Sequence, residues 1–156
     1  MSKTRAIEAL EKVGAPFHVH YYHVDAVTRS YGESVADAMG VGGGRIFKTL
    51  VATIDGRHAI GIVPVDRQLS LKSLAKAASG KRAHMAEAKD AERLTGYVVG
   101  GISPFGRARS LPVFVDESAF NHPTVFVSGG RRGIQLEVEP DLLIELTSGV
   151  RAEIAD

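Results

Sequence analysis

Lys48 is the residue of this chain whose surroundings most demand chemistry. It stands inside Ile46-Phe47-Lys48-Thr49-Leu50-Val51-Ala52-Thr53-Ile54, a run with strong strand character. Period-two alternation puts Lys48 on one face with Ile46, Leu50, Ala52 and Ile54. Phe47, Thr49, Val51 and Thr53 fall on the other. Both faces are mostly apolar, the pattern of a strand buried on both sides. A lysine there must snorkel out at the strand end, find an acceptor, or lose its proton, because an unpaired buried ammonium is costly. Two readings stand: a snorkelling surface lysine, or a cation at a pocket floor aimed at a phosphate, carboxylate or carbonyl oxygen.

Three glycine-rich loops lie near this strand or end other apolar runs: Gly42-Gly43-Gly44, Gly100-Gly101-Ile102-Ser103-Pro104-Phe105-Gly106 and Ser128-Gly129-Gly130. The first precedes a strand and no Gly-Lys-Ser/Thr follows, so it is not a P-loop. The other two follow the apolar runs 97–99 and Thr124–Val127. Paired glycines permit close backbone approach and expose N–H donors to an oxyanion or phosphate, although ordinary tight turns use them too. A shared mouth for these loops is the expectation. Ser103 and Ser128 are candidate hydrogen-bond donors. A Gly-x-Ser-x-Gly elbow is absent. His18, His20 and His23 cluster in sequence, but no acidic residue has metal-site spacing with them and no His-Glu-x-x-His helix occurs, so no metal is expected.

The chain has 156 residues, 19 Lys+Arg, 18 Asp+Glu and no cysteine. Without cysteine there are no disulfides, thiolate zinc sites or cysteine nucleophiles, which fits a reducing, cytoplasmic setting. Net charge is +1, unevenly laid out: 0 over residues 1–66, +6 over 67–109 and −5 over 110–156. The basic segment holds Arg67, Lys72, Lys76, Lys81, Arg82, Lys89, Arg93, Arg107 and Arg109. It is either a solvated surface or a salt-sensitive phosphate-contact surface, and the asymmetry favours an anionic partner. A uniformly basic nucleic-acid coat is excluded. No apolar run approaches a membrane span, and the opening Met1-Ser2-Lys3-Thr4-Arg5 is no secretory core.

The elements that must position these residues read as follows. Ile7, Leu10 and Val13 mark a helix stopped at Gly14, and Phe17–Tyr22 alternates as a strand. A short helix is expected over Ser34–Met39, then the strand 45–54, an Asp55-Gly56 hairpin turn and a strand at His58–Pro64. Ser70 caps a helix reaching Ala78. A short strand at 82–85 and a charged helix at 87–94 precede the long glycine stretch. Strands follow at 111–115, 124–128 and 133–138, then a helix at Asp141–Leu146 behind Pro140, and a strand at 150–154. One mixed α/β (α+β) domain spanning 1–156 is expected, with a largely antiparallel sheet.

Ile46-Phe47-Lys48-Thr49-Leu50, Tyr97 to Gly106 and Val127-Ser128-Gly129-Gly130-Arg131-Arg132-Gly133 together closely resemble the YbaK/EbsC family over nearly the whole chain. Its members are freestanding Cys-tRNA(Pro) deacylases related to the insertion editing domain of prolyl-tRNA synthetase. The resemblance implies a mixed sheet closed around a central pocket, no cofactor, hydrolytic clearance of cysteine from proline tRNA, and a transient prolyl-tRNA synthetase partner. It assigns Lys48 as the indispensable residue and puts Tyr22, Tyr31, Thr49, Gly100, Gly101 and Ser128 at the substrate pocket. Gln135 stands where some relatives carry Asp, and Tyr31 where Phe is frequent. It also implies that the substrate thiol attacks its own carbonyl, so that the site need supply only positioning and oxyanion stabilisation. Clearance of another small amino acid such as alanine, or a non-catalytic tRNA- or synthetase-binding module, are the alternatives.

Overall fold

Two apolar faces on one strand organise the chain. A computed structural model describes residues 3–23 and 31–156, the side chains of 31–34 excepted. The elements in chain order are α1 (Arg5–Lys12), β1 (His18–Tyr21), α2 (Tyr31–Met39), β2 (Phe47–Ile54), β3 (Arg57–Pro64), α3 (Leu71–Ala77), β4 (Ala83–Met85), α4 (Ala88–Thr95), β5 (Val113–Asp116), β6 (Val125–Ser128), β7 (Ile134–Val138), α5 (Pro140–Glu145) and β8 (Val150–Ala152). A 3-10 turn, Glu117–Asn121, links β5 to the segment before β6.

The strands divide between a five-stranded sheet, β4-β2-β3-β5-β8, and a three-stranded sheet, β1-β7-β6. The β3–β5 and β5–β8 pairs are parallel, and every other pair of strands is antiparallel. A single parallel bridge between Ile46 and Phe126 joins the sheets. Phe47 and Val51 of β2 enter a core shared with α1, α4, α5 and the three-stranded sheet. Leu50, Ala52 and Ile54 pack on the other face with α3 and Ile154. The strand is thus buried on both sides, as its composition requires.

The helices are too short to persist alone, so their apolar stripes hold them. α1 buries Ala6, Ile7 and Leu10, and Thr4 caps it by accepting the Ile7 N–H at 3.2 Å. The same hydroxyl donates to the Gly129 carbonyl, tying the helix start to a glycine loop. Ser70 caps α3 as expected, and Pro140 occupies the first turn of α5. α2 begins three residues earlier than the sequence pattern marked, and β8 ends two residues earlier.

The basic segment does not form one face. α3, bearing Lys72 and Lys76, lies on the opposite side of the five-stranded sheet from α4, bearing Lys89 and Arg93. Arg67 donates to the Ala155 and Asp156 carbonyls, and the main-chain N–H groups of Lys81 and Arg82 donate to Asp55. Arg67 at least spends its charge on local structure, and the others are dispersed. Among the described residues no helix is long and apolar enough to cross a membrane.

Asp116 closes the C-terminal end of the fold. Its buried carboxylate accepts from the Ile154 and Ala155 N–H groups at 3.0 Å and from Ser118. Burial alone would raise its pKa, but these hydrogen bonds together outweigh it and hold the group below the usual aspartate range. A carboxylate lowered in the folded state stabilises above its unfolded value and loses that contribution as pH falls through the folded value. Asp116→Ala is expected to cost about 3 kcal/mol at pH 7, because charge-assisted hydrogen bonds are lost and two buried donors are orphaned. Urea unfolding at pH 7 and at pH 2–3 checks this: the gap between wild type and variant should narrow in acid.

Candidate functional site

The site begins with an edge that β2 leaves open. Val65 N–H donates to the Ile46 carbonyl at 2.8 Å, and this sets the alternation of bonds between β2 and β3. The main-chain groups of Lys48 and Leu50 accordingly face β3, and those of Thr49 face the other edge. On that edge β4 pairs only residues 52–54, Val51 accepts from Ala86, and β6 meets the strand at Ile46. Thr49 lies in the gap between β4 and β6.

A cavity of about 410 Å³ fills this gap. Residues 46–51 of β2 form one wall, so Lys48 and Thr49 reach it from opposite faces around the exposed edge. Ser128 of β6 and Gln135 of β7 form a second wall. They are direct cross-strand partners, and His20 lies opposite Gln135 on the next strand. Val35 of α2 and Val65 close one end. Met85, Ala86, Ala88 and Ala91 form another wall, and Val99, Gly100 and Ile102 complete the mouth.

Lys48 is half-buried and has no hydrogen bond or ion pair with a described residue. Burial pulls its pKa down, and the Asp66 carboxylate pulls it partly back up. Two buried side-chain oxygens in the same cavity also lack a hydrogen-bond partner among the described residues: Thr49 Oγ1, in a residue 6% exposed, and Gln135 Oε1, in a residue 4% exposed. Leaving such an atom unpaired costs on the order of 1–3 kcal/mol, so folds rarely do it without a compensating use. One cation, one hydroxyl and one amide oxygen therefore face a mostly apolar cavity with their hydrogen-bonding capacity unspent.

Sequence-marked residues separate into wall and support. Lys48, Thr49, Gly100 and Ser128 line the cavity; Gly101 and Tyr22 do not. Gly101 is buried, and its N–H donates to the Val98 carbonyl at 2.9 Å, so it is not free as an oxyanion donor. A Cβ on Gly101 would lie 2.7 Å from the Arg131 Cα, and one on Gly100, at φ +95°, would lie 2.6 Å from the Arg132 guanidinium. The two glycine loops touch backbone to backbone, which only glycine allows. Tyr22 packs with Val35, Ile46 and Phe126 behind the wall. The Tyr31 side chain lies outside the described residues. Gly43 and Gly44 pack against Asp66 and so hold the charge that opposes Lys48. Ser103 is fully buried and accepts from Phe105 N–H, a turn contact.

His20 spends its Nε2 on Glu137 Oε1 at 2.8 Å and meets Phe126 edge-on. Among the described residues no group of three His, Asp or Glu is arranged to hold a metal. The sequence reading passed over Ala86, Ala88 and Ala91. Their signal was a run of alanines, with Ala88 and Ala91 one helical turn apart, which leave room instead of filling it.

The sequence profile of the aminoacyl-tRNA editing domain matches residues 26–146. The chain belongs to this family. The editing domain is 38% identical over 159 residues to EbsC of Enterococcus faecalis, provisionally named a Cys-tRNA(Pro)/Cys-tRNA(Cys) deacylase, covering 97% of this chain and 93% of the relative. It is 32% identical over 120 residues to the multifunctional Ser/Thr-tRNA deacylase ProXp-y of Escherichia coli K12, covering 74% and 70%. A crystal structure described provisionally as a trans-editing enzyme for prolyl-tRNA synthetase superposes with a TM-score of 0.84 at 27% identity, covering 97% of this chain and 95% of that one. The expected YbaK/EbsC membership and mixed α/β fold are both borne out.

Thr49→Val keeps the shape of the side chain and removes the orphaned hydroxyl. The variant is expected to be more stable by about 1 kcal/mol, raising Tm by roughly 2–4 °C. Differential scanning calorimetry reads this directly. A loss of stability would mean that the hydroxyl has a partner in the folded chain.

Proposed function

We propose that this aminoacyl-tRNA deacylase clears cysteine mischarged on proline tRNA, acting in trans to prolyl-tRNA synthetase. The observation that carries the reading is Lys48 with Thr49 Oγ1 and Gln135 Oε1, all unpartnered in one cavity of a chain of the editing family. The names of EbsC and of the trans-editing relative support the choice of cysteine and of the proline system.

An aminoacyl ester is already activated toward nucleophiles, so the site needs mainly to orient it and to stabilise charge on its carbonyl oxygen. In the proposed reaction the substrate's own sulfur attacks that carbonyl. The ester C–O bond breaks, the thiol proton goes to the departing ribose oxygen, and the amino acid leaves as a cyclic thioester that water opens. Lys48 supplies positive charge to the carbonyl oxygen or to the terminal phosphate. Its low-dielectric surroundings make that charge count for more than in water. Gln135 Oε1 accepts from the substrate ammonium, and the Ser128 hydroxyl and the Thr49 edge orient the ribose. Gly100 and Gly101, with Tyr22 behind the wall, keep the mouth in shape. Tyr31 is assigned to the same pocket on the family resemblance.

Size exclusion in a synthetase separates proline from cysteine poorly, which is why a second site is needed. The same cavity would admit serine, threonine or alanine, and the Ser/Thr-tRNA deacylase among the relatives makes those the competing substrates.

A panel of proline tRNAs charged with cysteine, serine, threonine or alanine decides among them. Cys-tRNA(Pro) should be cleaved fastest, and the serine ester roughly tenfold or more slowly, because a hydroxyl is a poorer internal nucleophile than a thiol. Comparable rates for the two would sink thiol assistance. Lys48→Ala should lower kcat/KM for Cys-tRNA(Pro) by about 100-fold or more while the fold is retained. Equal activity would remove Lys48 from the mechanism. Salt-sensitive tRNA binding with no turnover of any ester would favour a binding module instead.

A further inference from the structure

Another cavity, of about 350 Å³, lies between α1, residues 146–148 after α5 and residues 104–110. It contributes nothing to the walls of the deacylase pocket. Arg107, one of the nine residues of the basic segment, lines it, with Arg109 and Ser110 exposed beside it. The rest of its accessible lining is mainly polar; the apolar side chains that reach it are Val13 and Leu146, exposed at its rim above the buried Leu10 and Phe105.

Arg107 is only partly exposed, yet no described carboxylate pairs with it. A guanidinium has five N–H donors. Here Nε donates to the Pro104 carbonyl at 3.0 Å and Nη1 to the Arg109 carbonyl at 3.2 Å, leaving three donors unspent. The carbonyls of the neighbouring helix ends do not take them. Leu10 C=O already accepts from Ala15, Leu142 C=O from Leu146 and Ile144 C=O from Gly149, and Leu143 C=O accepts the Thr147 hydroxyl. Burial lowers the pKa of the guanidinium, the mark of a charge whose environment does not fully compensate it.

We propose that this cavity binds a carboxylate carried on a short apolar stem, with the Arg107 fork, flanked by Arg109, on the carboxylate and the stem against Val13 and Leu146 at the rim. A planar carboxylate matches the free edge of a guanidinium in two parallel hydrogen bonds. The two apolar rim residues, Val13 and Leu146, distinguish this ligand from inorganic phosphate, which has nothing to lay against them. The ligand would also reach the deacylase pocket through one short segment. Gly100 and Ile102 line that pocket, and Pro104, Phe105, Gly106 and Arg107 line this cavity. Tyr97 donates its hydroxyl to the Phe105 carbonyl and anchors the segment between them.

The test uses butyrate as the probe, with butyramide and inorganic phosphate as controls, followed by amide chemical shifts of the full chain. Butyrate should give saturable shifts at Arg109, Ser110, Leu146 and Ser148, at least tenfold tighter than butyramide. Arg107→Gln should abolish them, and Arg107→Lys should leave weakened binding. Ser110→Trp, at an exposed position, should block the mouth without touching the core, so the result does not depend on Arg107→Gln folding. The proposal is overturned by an absence of saturable shifts, by butyramide binding equally well, or by binding that survives Ser110→Trp. Phosphate binding as tightly as butyrate would overturn the apolar-stem assignment.

Discussion

One strand with one uncovered edge governs this molecule. β2 sits near the middle of the five-stranded sheet, with apolar packing on both faces. Such a strand would ordinarily be paired on both edges as well. Here β4 stops at residue 52 and β6 meets the strand only at Ile46, so Thr49 is left between them. The cavity exists because two neighbouring strands end short of each other along β2. Lys48 and Thr49, which alternation sends to opposite faces, share that cavity because an edge is the one place from which both faces are reached.

Two kinds of residue keep the gap open. Ala86, Ala88 and Ala91 occupy the entry to α4 where larger side chains would fill the space. A Cβ at Gly101 would run into the Arg131 backbone and one at Gly129 into Ile134, while Gly130 sits at positive φ against Thr4 and Tyr97. Thr4 joins the two arrangements, since one hydroxyl caps α1 and bonds to Gly129. The mouth is therefore set by backbone contacts anchored in the larger core. That suits a site whose task is to hold an already reactive ester in one orientation.

The charge layout tells a different story from its sum. Basic residues between positions 67 and 109 are dispersed to both faces of the sheet, and several are engaged with carbonyls or flank the Asp55 turn. The cation in the cavity wall comes from elsewhere, Lys48 in the strand, and the Arg132 guanidinium lies against Gly100 at the mouth. Linear charge density located an excess of positive charge, but the sheet decided where that charge points.

Much of the fold was legible in the chain. Alternation marked β1, and apolar runs marked β2, β3 and β6; Ser70 and Pro140 marked helix starts; Asp55-Gly56 marked the hairpin. Each of these is a local consequence of backbone geometry or of a missing donor, so a few neighbouring residues suffice to read it. Lys48 was equally legible, because a charge in a doubly apolar strand is a conflict visible in sequence. Gln135 was marked only through the family resemblance, since by pattern a polar residue in a strand reads as solvent-facing until a second sheet, α2 and a loop are known to cover it. Gly101 was marked for the pocket and turned out to support it, because glycine reports close approach without saying what approaches. Sequence by itself determined the periodicities, the caps and the misplaced cation, all of which depend on residues within a few positions of one another. Only the tertiary structure decided where β4 and β6 stop, because that depends on packing between segments some thirty and eighty residues apart.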